Sequence, residues 1–398
     1  MFEPEKLHFD FRDLLTAPRR ALKAKKIWTH LVGLTVGYGA YLILTYMAFG
    51  IDGRSFSVTW DHFGLYPVFC LHSSTFSSIG SWVIYAIGLL IWLMITLVAA
   101  TVVARTTFKE LKGEPFYTSR MGLAFTKRHW RTVIFSPLVA VLIILFFMTL
   151  ALVMALVGKL PFLGEFIFVG LYPLYLLGAL FVLYTAVVLG VSILYIPAIT
   201  AVWEEDAVGT TFQVYTVAWN QSWRMLVYST LLAALALFSI FAYGWVLTTG
   251  YTFINWVFGA SWLMGAKLGA ILAWAEKITF SGYSSLFCYI PGHVIPLTAL
   301  AANIDLADIS LWQKLIGSVL AVLLLFIYGS GFAFGLSIIS VGNTLAFLIY
   351  KFRTENEDLL ERKDEEDVEE ETRQSAVQAE SSGDNSETDV DTKQDSGD

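Results

Sequence analysis

The chain has 398 residues, of which 56% are hydrophobic and 15% are charged, and its mean hydropathy is +0.64. Soluble domains carry about 25% charged residues, so this composition argues against a water-soluble enzyme or binding domain. The net charge of −7 joins two opposite parts: residues 354–398 carry 18 acidic and 4 basic side chains, a net of −14, which leaves +7 on residues 1–353.

Six stretches contain no Asp, Glu, Lys, Arg or His: residues 31–51, 73–104, 132–158, 166–203, 225–266 and 315–350. A helix needs about 20 apolar residues to cross a hydrocarbon core ~30 Å thick. The sequence therefore predicts an all-α, polytopic transmembrane helical bundle of about six spans within residues 27–353. The first span, at 27–50, is expected to stay uncleaved because its apolar run is longer than that of a signal peptide.

Segments of mixed polarity with helical spacing precede the first, third and fifth spans, at 9–24, 116–128 and 207–221. The first of them belongs to a predicted cytoplasmic amphipathic segment, residues 1–26, in which apolar residues oppose Arg12, Arg19 and Lys23. Basic amphipathic helices rest on lipid headgroups. We therefore expect three hairpins of spans, each preceded by a cytoplasmic interfacial helix.

Lysine and arginine are concentrated in one set of connections, with seven in residues 6–26 and seven in residues 105–131. The opposite connections hold scattered cations such as Arg54 and Lys159. Because Lys and Arg beside a span stay in the cytoplasm, both termini are predicted to be cytoplasmic in a cell (inner) membrane.

The starts of the third and fifth spans resemble each other, since residues 129–138 align without gaps to 222–231 and share Trp, Arg, Ser and Leu. A repeat with parallel pseudo-symmetry predicts that these residues anchor the chain where it enters the bilayer. The alternative is that aromatic and basic residues mark any cytoplasmic span start. The candidate anchors are Trp28, Trp130, Arg131, Trp223 and Arg224.

Two apolar regions leave the number of crossings open. Pro173 divides residues 166–203, which favours a short interfacial piece followed by a span at about 174–200. Residues 251–278 contain Lys267 and three tryptophans, which is typical of a helix in the outer interface, and a further crossing is the alternative.

The outer segment 279–306 is expected to dip back into the bilayer. Re-entrant backbone is tolerated where protein shields it or where it lines a cavity, so this segment is the candidate functional region. An amphipathic cover over the outer face is the alternative. The residues that mark this region are Cys288, Pro291, Gly292, His293 and Pro296. Cys288 and Cys70 both fall in outer connections, and the sequence leaves open whether they pair. We expect no metal and no cofactor, since the spacing of Asp61, His62, Cys70 and His72 fits no zinc pattern.

Three glycines of the last span, Gly329, Gly331 and Gly335, either form a hinge or allow close helix packing. The tail at 354–398 is rich in Asp, Glu and Ser and has no aromatic residue, so we expect a disordered acidic cytoplasmic tail. It serves as a solvating spacer or docks a basic partner.

The end of the fourth span, Pro197 to Asp206, is followed by an amphipathic stretch and by Trp223-Arg224. This pattern, over residues 190–235, resembles an uncharacterised family of prokaryotic polytopic membrane proteins. It is also similar to the membrane domain associated with glycerophosphodiester phosphodiesterases. Because no soluble phosphodiesterase domain accompanies it here, the resemblance implies only the helical membrane fold.

The six charge-free stretches offer no carboxylate for a proton relay, and no paired His or carboxylates suggest an enzyme beyond the span-end Glu204, Glu205 and Asp206. We therefore expect a non-enzymatic membrane protein that organises lipid, envelope or partner proteins. A permease for an apolar or lipid-like solute is the alternative. The expected partners are membrane lipid and other membrane or envelope proteins, and no nucleic acid.

Overall fold

The computed structural model describes residues 5–67, 76–280 and 309–368, together with Thr372 and Ser375. In these residues all regular structure is helical, and six helices are long and apolar enough to cross a membrane. The predicted all-α polytopic bundle is confirmed. The helices are α1 (Phe11–Leu15), α2 (Ala17–Ala21), α3 (Ala24–Ile51), α4 (Phe56–Phe63), α5 (Ile79–Leu111), α6 (Ser119–Arg128), α7 (Trp130–Val157), α8 (Leu163–Trp203), α9 (Ala207–Asn220), α10 (Ser222–Phe258), α11 (Ala266–Phe280) and α12 (Leu311–Glu355).

The six long helices pack as three hairpins: α3 with α5, α7 with α8, and α10 with α12. The short helices α1–α2, α6 and α9 precede the three hairpins, as the sequence predicts. Side-chain oxygens cap two of these short helices, because Thr118 accepts from the backbone of Met121 and Asp206 from that of Gly209. The remaining short helices, α4 and α11, lie inside hairpin connections.

We call the end of the bundle that holds α1, α2, α6, α9 and residues 351–368 the basic end, and the opposite end the far end. The buried core is concentrated at the basic end, where Phe108 of α5, Ile199 of α8 and Phe347 of α12 are at most 1% exposed. Farther along α7, Leu142 and Phe146 are more than 60% exposed. Such side chains face acyl chains, because lipid is as apolar as leucine.

Helix α8 runs without interruption from Leu163 to Trp203 and contains both Pro173 and Pro197. The predicted division at Pro173 is therefore wrong. Proline removes one backbone hydrogen bond, but membrane helices tolerate it where neighbouring groups satisfy the freed carbonyl.

Helix α11 differs from the flat interfacial helix that the sequence predicts for 251–278. The chain turns after Phe258, and α11 then runs back beside α12 in the same direction as α12. Ala270, Ala273 and Ala275 give α11 a face of small residues, each at most 9% exposed, which allows this close packing.

The predicted tail boundary at 354 lies inside α12, which ends at Glu355. Residues 356–368 then fold back under the basic end, with Leu359 and Leu360 only 2% and 3% exposed. Composition predicts disorder here because it does not show that this segment contacts residues far earlier in the chain. The rest of the tail, apart from Thr372 and Ser375, lies outside the described residues.

Candidate functional sites

The last two turns of α5 form a buried row of cations at the basic end. Arg105, Lys109 and Lys112 follow a spacing of four and three residues, which puts them on one face of the helix. Their side chains are 0%, 2% and 9% exposed. We call these three residues the cationic row.

The chain's own carboxylates cover the cationic row. Two belong to the neighbouring connections, with Glu204 2.6 Å from Nη1 of Arg105 and Glu114 3.1 Å from Nζ of Lys109. The others come from residues 364–367, which we call the acidic segment. Its ion pairs are Asp364 with Arg105 (3.2 Å) and Lys109 (3.0 Å), Glu366 with Arg105 (3.0 Å), and Asp367 with Lys109 (2.9 Å) and Lys112.

Hydrogen bonds from the cationic row lower the pKa of Asp367 in the acidic segment. Burial raises the pKa of Asp367, but hydrogen bonds from Lys112 and Lys109 outweigh it and bring that pKa below the ordinary value. The hydroxyl of Tyr117 also donates to Glu366, at 3.1 Å. Asp367 is therefore held in its charged form.

Glu204 ends α8 in the left-handed backbone region, with φ of 60°. A non-glycine residue there costs roughly 1–3 kcal/mol, so other contacts must hold it. Its carboxylate pairs with Arg105 and also accepts from the backbone N–H of Glu365 at 2.9 Å. Burial raises the pKa of Glu204, whereas Arg105 opposes this rise. The strained residue thus joins α5 to the acidic segment.

Aromatic rings pack against several of these charged groups and against two neighbouring cations. The Arg105 guanidinium lies 4.2 Å from the ring centroid of Phe125 in α6. On the other side, Lys351 and Arg362 lie 3.9 and 4.5 Å from the ring centroid of Trp203. Contacts of this kind add about 0.5–2 kcal/mol each when desolvated.

A second cluster of cations lies next to the cationic row. Lys23, Lys25 and Lys26 all contact the carboxylate of Glu110, at 3.0, 2.7 and 2.9 Å. Lys26 is fully buried, whereas half of the Lys23 side chain is exposed. Three positive charges around one carboxylate make this side of the basic end attractive to anions.

All five candidate anchors lie at the basic end, near the starts of α3, α7 and α10. Trp28, Trp130 and Trp223 are 63%, 44% and 68% exposed, and Arg131 lies beside the ring of Trp130. Arg224 follows Trp223 directly. This position suits aromatic anchoring at a headgroup layer, and the internal repeat stays a prediction.

Helix α11 enters the bundle from the far end and stops beside the first half of α12. Along its length, Trp274 Nε1 donates to Ser318 Oγ at 3.1 Å, and the ring of Phe280 lies 6.0 Å from that of Tyr328. Tyr328 lies 17 residues after the start of α12, a helix of 45 residues. The end of α11 therefore lies roughly 26 Å from the start of α12, measured along the axis of α12.

The connection after α4 reaches the same depth from the first hairpin. Tyr38 and Tyr41, both in the middle of α3, donate to the carbonyls of Leu65 (2.7 Å) and Pro67 (3.3 Å). Tyr66 in turn donates to the carbonyl of Thr279 in α11, at 2.8 Å. Tyrosine hydroxyls thus satisfy backbone carbonyls that would otherwise be costly inside a membrane.

Between these two connections lies what we call the half-depth site. Glu276 of α11 is 7% exposed and accepts a hydrogen bond from Tyr251 of α10 at 3.0 Å. A pocket of about 140 Å³ lies on another face of α11, between it and α4, and is lined by Trp60, Asp61, Gly64, Trp274, Lys277 and Ile278. A buried carboxylate among membrane helices is a typical mark of a functional site.

Several candidate residues lie outside the described part of the chain: Cys70, His72, Cys288, Pro291, Gly292, His293 and Pro296. The candidate hinge glycines lie within the uninterrupted α12. A β-carbon at Gly335 would lie 2.3 Å from Ile240 of α10, and one at Gly331 would lie 3.5 Å from Tyr243. Gly335 therefore allows close packing of α10 on α12, whereas a β-carbon at Gly331 would make only ordinary contact, and the hinge stays a prediction.

Sequence reasoning missed both the cationic row and Glu276. The sequence prediction places Arg105 in a connection because its charge marks the end of the second span, whereas α5 continues to Leu111. The signal was the helical spacing of Arg105, Lys109 and Lys112. Glu276 has a weaker signal, since it is followed by Lys277 and resembles a surface pair.

The residues that carry the resemblance to the phosphodiesterase membrane domain form the end of α8, α9 and the start of α10. The resemblance itself stays a prediction. Comparisons with protein-family models, with curated proteins and with solved structures find no match for this chain.

Proposed function

We propose that this multi-pass membrane protein is non-enzymatic and gathers anionic lipid around its basic end, which faces the cytoplasm of the cell (inner) membrane. The observation that carries the proposal is the ring of short helices α1–α2, α6 and α9. Apolar side chains are exposed on this ring, and cations are exposed beside them on α1, α2 and α6, as on helices that lie among lipid headgroups.

The apolar part of the ring is aromatic-rich. Phe11 beside α2, Phe116 before α6, and Phe212 and Trp219 of α9 are 53%, 84%, 63% and 75% exposed. At the membrane interface these rings contact acyl chains and headgroups at once, which favours shallow insertion.

The cationic part of the ring supplies the selectivity for lipid charge. Among its exposed cations are Arg12, Arg19, Arg120 and Lys127, and exposed Arg131 follows α6 at the start of α7. Each basic residue near an anionic membrane surface contributes about 1 kcal/mol of attraction. Five such residues would select anionic over zwitterionic lipid locally without any enclosed pocket.

The proposal is tested by measuring the lipid that stays with the protein during purification from vesicles of phosphatidylglycerol and phosphatidylethanolamine. The variant R12Q/R19Q/R120Q/K127Q/R131Q should lose most of the phosphatidylglycerol enrichment. The control K159Q/K267Q removes exposed far-end lysines and should retain it. Equal enrichment in both variants would overturn the proposal.

A permease for a lipid-like solute is the second candidate, and the half-depth site favours it. Glu276 offers a polar group inside the bundle, as a substrate path requires, and the tryptophan-lined pocket opens beside another face of the same helix. The volume of about 140 Å³ is well below the roughly 300–1,000 Å³ of most ligand sites, so lipid gathering has more support. Solute uptake into proteoliposomes that is lost in E276Q would favour the permease.

A further inference from the structure

The cationic row lacks enough carboxylates unless the acidic segment is present. Glu114 and Glu204 supply two negative charges to the three positive charges of Arg105, Lys109 and Lys112. One positive charge therefore remains when the acidic segment is removed. It would lie beside Phe108 and Phe125, where an unpaired charge is strongly unfavourable. An anion at this place would therefore be stabilised.

The groups that face the acidic segment are those that bind phosphate well. Arg105 presents a planar fork of donors, the two lysines add compact ammonium groups, and the hydroxyl of Tyr117 donates from the side. Within the described residues, Nε of Arg105 is buried and has no hydrogen-bond partner. The carboxylates therefore leave one strong donor unused, which a further oxygen would satisfy.

The acidic segment is held in a way that permits exchange. It is attached mainly by ion pairs, and the side chains of Glu365 and Glu366 are 49% and 30% exposed. A competing anion therefore has an approach from solvent or from the headgroup layer beside α6. The single positive charge left behind matches a phosphate diester, which carries one negative charge.

We propose that the cationic row is a binding site for the phosphate of an anionic phospholipid, and that the acidic segment is its built-in competitor. This deepens the proposed function and rests on it only for the choice of lipid as ligand. With lipid bound, residues 362–367 leave the basic end; without it, they cover the row as in this structure.

The first test follows the acidic segment in the unaltered full chain. Trypsin cleaves after Arg362, whose guanidinium lies against Trp203 when the segment is docked. In detergent, added phosphatidylglycerol should speed this cleavage several-fold, and phosphatidylcholine should not. Cleavage after exposed Arg54, at the far end and outside the ring, serves as the internal reference. An unchanged rate at Arg362 would overturn the proposal.

The second test weakens the competitor. The variant D364N/E366Q/D367N should retain phosphatidylglycerol about tenfold more tightly than the natural chain, measured by native mass spectrometry, which corresponds to about 1.4 kcal/mol. Adding K112Q, the least buried position of the row, should reverse this gain. No gain in the triple variant, or a gain that survives K112Q, would overturn the proposal.

Two further arms separate the explanations. Inorganic phosphate that releases Arg362 as well as phosphatidylglycerol does would identify a soluble anion as ligand and overturn the lipid assignment. The variant R12Q/R19Q/R120Q/K127Q/R131Q tests the proposed function independently, with cleavage after Arg54 as its reference. Loss of bulk enrichment in that variant, with normal release of Arg362, would support both proposals. Normal enrichment would refute the ring while leaving the cationic row supported.

Discussion

Glu110 is the residue on which the second cation cluster depends. Its carboxylate lies within 3.0 Å of the ammonium groups of Lys23, Lys25 and Lys26, and it is 9% exposed. Through these contacts it joins the end of α5 to the start of α3. A buried lysine without a counter-charge is far less stable than a paired one.

We expect E110Q to destabilise the protein by roughly 3 kcal/mol, since it leaves the buried Lys26 ammonium without its carboxylate. Unfolding in a detergent titration measures this loss. The matched control E114Q removes a carboxylate that is 26% exposed and contacts Lys109, which keeps its pairs with the acidic segment. E114Q should cost less than about 1 kcal/mol, and equal losses would contradict the prediction.

At this scale the sequence predicts residue types better than residue contacts. The sequence predicts the three tryptophan anchors because aromatic and basic residues are enriched where a helix enters the membrane from the cytoplasm. Glu110 and Asp364 could not be recognised in this way, because the lysines that give them a role lie far away in the chain. Charged residues that cluster in a sequence are predicted to be exposed to solvent, because the sequence does not show which distant residues they pair with.

At the scale of helices, one of the closest contacts in the first hairpin involves Gly33 of α3. A β-carbon there would lie 2.7 Å from the β-carbon of Ala99 in α5, which has no flexible end to move aside. Gly39 of the same helix has nothing within 4 Å. The two glycines therefore have different roles although both lie in α3.

We predict that G33A destabilises the α3–α5 hairpin by about 1–3 kcal/mol through overpacking. G39A should be neutral or more stable by up to about 1 kcal/mol, since alanine favours a helix over glycine. Thermal unfolding in detergent compares the two variants. A smaller effect of G33A than of G39A would show that the two helices are not in close contact.

Helix ends were harder to predict than helix positions. Span two was predicted to end at Ala104, yet α5 extends to Leu111 because Arg105 and Lys109 find carboxylates at the basic end. Pro173 was predicted to end a helix, yet α8 passes through it. Hydropathy indicates which part of a helix lies in lipid, and proline indicates a local break. Packing and ion pairs beyond the lipid decide where the helix ends.

At the scale of the whole molecule, six long helices place the first and the last residues of the bundle on the same side. The basic end holds both the start of α3 and the end of α12. Positive charge near spans remains in the cytoplasm, and the basic end carries the cationic row, the lysine cluster and the ring. The charge distribution therefore predicts one orientation of the bundle.

We predict that a cysteine at Ser55 reacts with a membrane-impermeant thiol reagent in intact cells, whereas one at Ser222 reacts only after lysis. Both positions are exposed, at the far end and the basic end respectively. Cys70 and Cys288 are first replaced by serine so that they do not react. Labelling of Ser222 alone in intact cells would reverse the orientation.

The length of α12 has a mechanical consequence. One unbroken rod of 45 residues touches Trp274 and Phe280 near its beginning and Trp203 near its end. If the glycines of α12 provide close packing and no hinge, tilting the helix about its contact with Ile240 of α10 moves its two ends in opposite senses. A shift at one membrane face would then be transmitted to the other.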